Sequence, residues 1–472
     1  MLYSLQQRWR RPGGYREVLT LAVPLIITTG SNGLQTFVDR LLLSWYSPAA
    51  LAAVVPASMV CITLTALFIG LSSYVGVMVA QHYGARRWPQ VGQVVWQSIY
   101  LVVIAAFIVW PLIFVMAPLF QWINHEPALQ LMEVAYAQRL IVALPMIMLF
   151  ITLTGFFTGI GRVGLVMWLN FLITLLNIGL DSLLIFGYWG FPAMGVSGAA
   201  WATVCAYSIG ALLAFWLFLR PRNQARFHTR SQWRWNGAVL NTLVYFGLPV
   251  GIHMQMEMLA WTVFVLLVGS LGIVEMTAHS IAMNIFMLVT MPMVGISVAV
   301  SVLVGKRLGE GSVAIARVAT VSALQMAAVL FFVVVLLMTL YPEPLIGLFT
   351  GSMDSQFREQ ITPLLFDLMV MVALFCWFDA LLVILAGALK GAGDTHFVAW
   401  AGIALLWGLL IVPTALWLRV AEGDLRVFWG FVVVSGVGLC VLYGVRYHRS
   451  QWQHCAAARP VVTYPLLPET VG

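Results

Sequence analysis

The segment VLTLAVPLIITTGSNGLQTFVDRLLLSW at residues 18–45 is long enough to cross a bilayer, because a membrane-spanning helix needs about 20 mostly apolar residues. The rest of the chain has the same character. Hydrophobic residues make up 62% of its 472 residues and charged residues only 9%. A soluble fold carries roughly 25% charged residues. The composition therefore excludes a soluble enzyme and predicts a helical membrane protein.

Eleven more apolar stretches of spanning length follow, and an even number of spans places both termini on one side. If that side is the cytoplasm, 19 of the 24 Lys and Arg residues fall in cytoplasmic segments and three on the opposite side. This bias is the positive-inside rule, so the net charge of +7 needs no nucleic-acid partner. The predicted spans are 18–45, 50–83, 92–122, 128–159, 163–188, 195–219, 238–268, 273–305, 316–349, 360–389, 396–418 and 426–445.

The two halves of the chain are related by an internal repeat. A shift of 225 residues aligns residues 21–84 with residues 246–309 without a gap, and places Pro24 on Pro249 and Gly70 on Gly295. Six spans per repeat give both halves the same orientation, an architecture used by transporters that bind substrate between their lobes. The predicted fold is an all-α integral membrane protein, with twelve transmembrane helices in two pseudo-symmetric six-helix lobes around a central cleft.

The repeat also sets the predicted domain organisation. The two lobes are joined by the basic stretch between spans six and seven. The predicted units are a cytoplasmic N-terminal segment at 1–17, an N-terminal lobe at 18–219, a basic cytoplasmic linker at 220–237, a C-terminal lobe at 238–446 and a cytoplasmic tail at 447–472.

Four carboxylates lie inside predicted spans: Asp39, Asp181, Glu257 and Asp379. An ionised carboxylate at the centre of a bilayer costs about 2.5–3.5 kcal/mol even on the most lenient scale. Such residues must face a wet cavity, a cation or one another, or be protonated. We therefore treat them as candidates for function, with a structural hydrogen bond to a neighbouring helix as the alternative for each.

In span one, Asp39 follows three other polar residues, Asn32, Gln35 and Thr36. Their spacing of i, i+3, i+4 and i+7 places all four on one face of a helix. This polar stripe is expected to face the interior of the protein. Asn32, Gln35 and Thr36 are accessory candidates beside Asp39.

In span five, Asp181 follows Asn177 by four residues, so the two side chains share a helix face. Thr203 follows a Gly- and Ala-rich entry to span six, which would let helices pack closely. Carboxylate, amide and hydroxyl oxygens suit a hard cation such as Na+. They equally suit a proton site, and the sequence leaves the coupling ion open.

The second half of the chain offers a separate acidic site. Glu257 follows His253 by four residues in span seven, and Asp379 lies in span ten. His253 is an accessory candidate that is more simply explained as a packed polar residue. Glu133 falls near the outer end of span four and is expected to be solvated. No cofactor is expected besides the coupling ion.

Several stretches, in their order and spacing, resemble the multidrug and toxic compound extrusion (MATE) family of bacterial cation antiporters. They include TGFFTGIGR (154–162), NIGLDSLLIFG (177–187), MGVSGAAWAT (194–203), LPVGIHMQMEM (248–258) and ALKGAGDT (388–395). The resemblance implies a secondary active efflux transporter that exports organic cations or amphipathic drugs in exchange for Na+ or H+. It implies a cation site at Asp39, Asn177, Asp181 and Thr203, and a second acidic site at Glu257 and Asp379.

The resemblance implies a multi-pass protein of the bacterial inner membrane, surrounded by lipid, with a role in antibiotic resistance. The distribution of Lys and Arg predicts that both termini are cytoplasmic, and a monomer is expected because each chain holds both halves. One alternative is an exporter of lipid-linked oligosaccharide or another metabolite from the same superfamily, although the acidic spans argue against an anionic cargo. A channel and an intramembrane enzyme are further alternatives. The sequence contains no HExxH, GxSxG or P-loop motif, so no enzyme is expected.

Overall fold

The computed structural model describes residues 9–123, 126–350, 354–420, 423–449 and 452–453. These residues contain twelve helices that are long and apolar enough to cross a membrane, as predicted, and no β-strand. Residues 1–8 and most of the predicted tail at 447–472 lie outside the described residues. The spanning helices are α1 Tyr15–Tyr46, α2 Pro48–Gly84, α3 Trp88–Val109, α4 Pro127–Gly159, α5 Val163–Phe186, α6 Val196–Phe218, α7 Gly237–Gly269, α8 Ile273–Gly309, α9 Val313–Leu340, α10 Ser355–Gly391, α11 Thr395–Val420 and α12 Leu425–His448.

Two predicted spans are shorter than the sequence suggested, because a proline divides each of them. The stretch predicted at 92–122 is α3 followed by a separate helix, Leu112–Ile123, with Pro111 at the break. The stretch predicted at 316–349 is α9 followed by the helix Pro342–Thr350. Proline has no backbone N–H and favours the first turn of a helix, although α1 and α7 of this bundle continue through Pro24 and Pro249. The two short helices occupy equivalent places in the two halves.

The packing of the helices repeats between the halves. In the first half α1 packs on α5, α2 on α4, and α4 on α6. In the second half α7 packs on α11, α8 on α10, and α10 on α12. The halves meet through α1 against α8 and α2 against α7, which are equivalent pairs. This arrangement is the pseudo-symmetry that the sequence repeat predicts.

The two lobes approach most closely at the end of the bundle where α1 begins and where α2 and α8 finish, here called the inner end. A Cβ atom added to Gly84 would collide with the backbone oxygen of Lys306, and one added to Gly309 would collide with that of Gln81. Nearer the middle, a Cβ on Gly70 would lie 2.7 Å from Cα of Gly251. Glycine is required at these crossings, because the helix backbones are in contact.

Polar contacts reinforce the closure of the inner end. Glu17 on α1 forms an ion pair with Arg307 on α8 and accepts a hydrogen bond from the backbone N–H of Gly13 at 2.7 Å. The Tyr15 hydroxyl donates to Gln325 Oε1 on α9 at 2.5 Å. The bonds to Arg307 and Gln325 join α1 to the second half, so the lobes of this structure are closed at the inner end.

Two more polar contacts cross between the lobes near the middle of the bundle. Gln255 on α7 donates to the backbone oxygen of Thr63 and accepts from the backbone N–H of Leu67, at 3.2 Å for the second contact. Thr29 on α1 donates to the backbone oxygen of Met291 on α8 at 3.2 Å. The described contacts between lobes therefore lie in the middle and at the inner end.

The linker between the lobes is held against the first lobe. Trp96 on α3 donates to the backbone oxygen of Thr229 at 2.6 Å. Gln97 donates to the backbone oxygen of Arg234 at 2.9 Å and accepts from the N–H of Asn236 at 3.1 Å. Asn236 is also the N-cap of α7. Hydrogen bonds from α3 therefore hold the linker in place at Thr229, at Arg234 and at Asn236, just before α7 begins.

Candidate cation site

Four predicted side chains come together inside the first lobe where α5 packs between α1 and α6. Asn177 and Asp181 lie one turn apart on α5, and both are fully inaccessible to solvent. Thr203 on α6 is buried and Asp39 on α1 is half-buried. The structure thus places all four members of the predicted site, Asp39, Asn177, Asp181 and Thr203, at one point of the lobe.

The Asn177 side chain bridges the two acids. We orient its amide with the nitrogen toward the carboxylates, because this choice gives each acid a donor. The nitrogen then donates to Asp39 Oδ1 at 2.8 Å and to Asp181 Oδ2 at 3.2 Å, and lies 3.1 Å from the Gln35 amide. The amide oxygen of Asn177 then lies 3.5 Å from the Thr203 hydroxyl.

The two carboxyl groups also face each other at hydrogen-bonding distance. Asp181 Oδ1 is buried and has no hydrogen-bond partner among the described residues. Two carboxylates in direct contact cannot both be ionised unless a cation lies between them, and otherwise they share a proton. The geometry is therefore suited to binding one positive charge, as H+ or as a small hard cation.

The polar stripe predicted on α1 divides in the structure. Gln35 is buried beside Asn177, as expected for an accessory residue. Asn32 and Thr36 are exposed, and the Thr36 hydroxyl donates to the backbone oxygen of Asn32 at 3.1 Å. Helix α5 covers only part of the predicted face, so the two outer members of the stripe remain outside the cluster.

Two residues near the acids were not anticipated from the sequence. Tyr136 on α4 is buried close enough to feel the charges of both Asp39 and Asp181, and Tyr207 on α6 lies near Asp39. Each is a single tyrosine in an apolar span, with no polar periodicity to mark it. Their hydroxyl groups add polarity to one side of the site.

The prediction that Glu133 is solvated was wrong. Its side chain is fully buried. The short helix Leu112–Ile123 folds back against the start of α4 and buries apolar residues such as Met116 and Phe120 there. This contact removes from water a part of α4 that the sequence places near the membrane surface.

The second acidic site is more open. His253 Nδ1 lies 3.7 Å from Glu257 Oε2, and their side chains are 18% and 42% exposed. Asp379 on α10 is half-buried and near Glu257, and Lys390 on α10 is also near Glu257. The His253 ring packs against Gly402 on α11, where an added Cβ would collide with it. Glu257 and Asp379 therefore lie within electrostatic range of each other, and His253 has a packing role as well.

Within the described ranges, no cluster of three or more His, Cys, Asp and Glu residues could hold a metal ion. The sodium site proposed from the sequence differs from such a cluster, because it combines two carboxylates with amide and hydroxyl oxygens. In this structure Asp39 and Asp181 supply the carboxylate oxygens and Thr203 the hydroxyl oxygen, whereas Asn177 turns its amide nitrogen toward the acids and its oxygen toward Thr203. Oxygen-only ligand sets are typical of hard cations.

A two-lobed bundle of twelve spans with acids inside each lobe defines a membrane transport protein rather than an enzyme. Residues 24–183 and residues 249–416 each match the model of the MatE family. The chain therefore belongs to the MATE family. The two matched regions begin 225 residues apart, which is the offset of the sequence repeat.

Relatives of known name agree with this assignment. The chain is 32% identical to the multidrug resistance protein PmpM of Pseudomonas aeruginosa, with 92% of this chain and 91% of that protein covered. It is 26% identical to the multidrug resistance protein MdtK of Yersinia pseudotuberculosis, with 92% and 96% covered.

Solved structures share the fold. A MOP superfamily transporter from Pyrococcus furiosus superimposes with a TM-score of 0.84 at 20% identity, covering 95% of this chain and 98% of that chain. A multidrug resistance MATE family transporter in an outward-facing conformation gives a TM-score of 0.84 at 21% identity, with 95% and 98% covered. At these identities the likeness establishes the architecture alone.

Proposed function

We propose that this chain is a secondary active multidrug efflux transporter that exports organic cations in exchange for Na+ or H+ by alternating access. Membership of the MATE family and the names of the relatives support multidrug efflux. The observation that carries the exchange is the contact between Asp39 and Asp181, bridged by Asn177 inside the first lobe. A buried acid pair of this kind binds one positive charge at a time.

In the proposed cycle, the coupling ion neutralises the acid pair and changes how the lobe packs. An ion shifts the balance between two conformations only by its difference in affinity for them. The drug cation leaves when its counter-charge is lost, and the ion is released when the lobes open at the inner end. One elementary charge moving through 100 mV supplies about 2.3 kcal/mol, so one or two ions suffice for a useful drug gradient.

We further propose that the protein lies in the bacterial inner membrane as a monomer, with both termini and the inner end cytoplasmic. The charge distribution supports this orientation, because most Lys and Arg residues fall in segments at the inner end. An exporter of lipid-linked oligosaccharide from the same superfamily would need a cationic cavity for its pyrophosphate. The acids in both lobes favour a cationic cargo instead.

Reconstituted vesicles test the proposal. Efflux of a fluorescent organic cation is driven separately by a Na+ gradient and by a pH gradient, in the wild type and in Asp39→Asn. We expect one of the two gradients to drive transport and Asp39→Asn to reduce the rate to that of empty vesicles. Asp367→Asn is the control, because Asp367 is half-exposed and paired with Arg426. Equal transport by Asp39→Asn and wild type would remove the acid pair from the mechanism.

A further inference from the structure

A cavity of about 490 Å3 opens between the lobes at the inner end, outside the cation site. One wall is formed by the start of α1 with the residues before it, and by the turn after α4. The other wall is the last part of α8, in the second lobe. The cavity therefore exists only while the lobes are together at this end.

The lining of the cavity is strongly basic. It contains five cationic side chains and one carboxylate, Glu17. The cationic residues of the lining are Arg10, Arg11, Arg16, Lys306 and Arg307. Glu17 is already paired with Arg307, and Arg307 is also bonded to Glu310 at 2.6 Å. The one acid of the lining is thus neutralised.

The remaining cations have no acidic partner. In the described part of the chain, no carboxylate lies within ion-pair distance of Arg10, Arg11 or Arg16, and all three are exposed. Lys306 lies over the ring of Tyr83 at 5.8 Å. Four unpaired positive charges around one cavity repel a cationic drug and attract an anion that carries phosphate.

Apolar side chains share the cavity with these cations. The lining includes Leu21, Ile160, Val302 and Leu303, and Trp9 is 47% exposed at its edge. The cations lie just before the first turn of α1 and in the last turn of α8, where the helices reach the membrane surface. A basic pocket between helices on this side of a membrane is typical of sites for anionic lipid headgroups.

We propose that this cavity binds the phosphate-bearing headgroup of an anionic phospholipid, and that the lipid stabilises the lobes in the arrangement closed at the inner end. Arg10, Arg11 and Arg16 lie just before and in the first turn of α1, and Lys306 lies near the end of α8, so a bound phosphate is held from both helices. A soluble phosphate shares the charge but gains nothing from the apolar wall. The proposal does not depend on which drug or ion is transported.

The test uses the purified full-length protein in mild detergent with added phosphatidylglycerol or, separately, phosphatidylcholine at the same mole fraction. Thermal unfolding and the number of retained lipids by native mass spectrometry are measured. We expect phosphatidylglycerol to raise the melting temperature by about 2–4 °C more than phosphatidylcholine. Arg10→Gln/Arg11→Gln/Arg16→Gln should lose this difference and one retained lipid, and Lys306→Gln should lose part of both.

The matched control is Arg86→Gln/Arg222→Gln/Arg449→Gln, which removes three exposed arginines outside the cavity lining. It should keep the full response to phosphatidylglycerol. The proposal is overturned if the control loses the response equally, since general surface charge then explains binding. It is also overturned if the cavity variant keeps the response, or if inorganic phosphate or glycerol phosphate alone produces the same shift.

Discussion

The acidic groups of the two lobes occupy different environments. In the first lobe, Asp181 is inaccessible and an amide from its own helix links it to Asp39. In the second lobe, the Glu257 side chain is 42% exposed, and the His253 imidazole and the Lys390 amine lie near it. The pseudo-symmetry of the helices therefore does not extend to the chemistry they enclose.

This difference predicts unequal roles for the two sites. A closed acid pair with no room for a large group is suited to a proton or a small ion. A solvent-exposed acid with a lysine nearby is suited to a larger organic cation, which would displace the lysine from the acid. Substitutions in both sites test whether the roles divide in this way.

The largest effect is expected from Asp181→Asn. Removing one acid of the pair eliminates the proposed exchange site, so the transport rate should fall at least about 100-fold, to the background of empty vesicles. Asp379→Asn, in the open site, should reduce the rate by about three- to tenfold. Vesicle efflux at matched protein density measures both. If Asp379→Asn proved the more damaging substitution, the assignment of roles would have to be reversed.

The next largest effect is expected at Asn177, whose amide donates to both Asp39 and Asp181. Asn177→Leu leaves two buried acids without their common donor, which should cost about 1–3 kcal/mol of stability and lower the melting temperature. Asn284→Leu is the matched control, because Asn284 is exposed and bonds only to its own helix, at Ser280. In a protein that already carries Asp181→Asn, Asn177→Leu should cost less stability than it does in the wild type. An unchanged cost would show that Asn177 does not act through the acids.

A smaller effect is expected from Lys390→Gln. Its side chain lies within electrostatic range of Glu257, where we expect it to compete with an incoming organic cation. Removing the charge should tighten the apparent affinity for the drug cation by about three- to tenfold, which corresponds to ~1 kcal/mol. The half-saturating drug concentration measures this effect, and Arg86→Gln is the comparison, at an exposed cation outside both the open site and the basic cavity. Weaker drug binding by Lys390→Gln would contradict the competition.

The smallest effect is expected from Tyr136→Phe. The hydroxyl group lost is buried beside both acids of the first lobe. The half-saturating concentration of the coupling ion should change by about twofold, with little change in drug affinity. Tyr341→Phe, at an exposed position, should change neither quantity. A larger effect on drug affinity than on ion affinity would indicate that the drug reaches this pocket.

The number of spans, the repeat and the meeting of Asp39 with Asp181 were all predictable from the sequence. Hydropathy over 20-residue windows and carboxylates inside apolar runs are strong signals, because hydrocarbon tolerates few exceptions. The division of α3 from the helix Leu112–Ile123 was less visible, since apolar residues continue through Pro111. Composition marks what can enter a membrane but not where the backbone turns within it.

The accessory residues show a second limit. The spacing on α1 correctly grouped Gln35 with Asp39, but it also included Asn32 and Thr36, which remain exposed. Periodicity defines the face of one helix, whereas burial depends on how much of that face a neighbour covers. The same reason explains Glu133 and Tyr136, whose surroundings come from the helix Leu112–Ile123 and from helices α1 and α5. The sequence of a single span carries no signal for its contacts with distant segments of the chain.

The crossing of α2 and α8 at Gly84 and Gly309 leaves no space for a side chain. Gly84 and Gly309 occupy equivalent places in the repeat, and each is in contact with the backbone of the opposite helix. A single methyl group at either position is larger than the space present there. Alanine at either position would therefore push the lobes apart at the inner end, and we expect it to lower the population of the arrangement that is closed there.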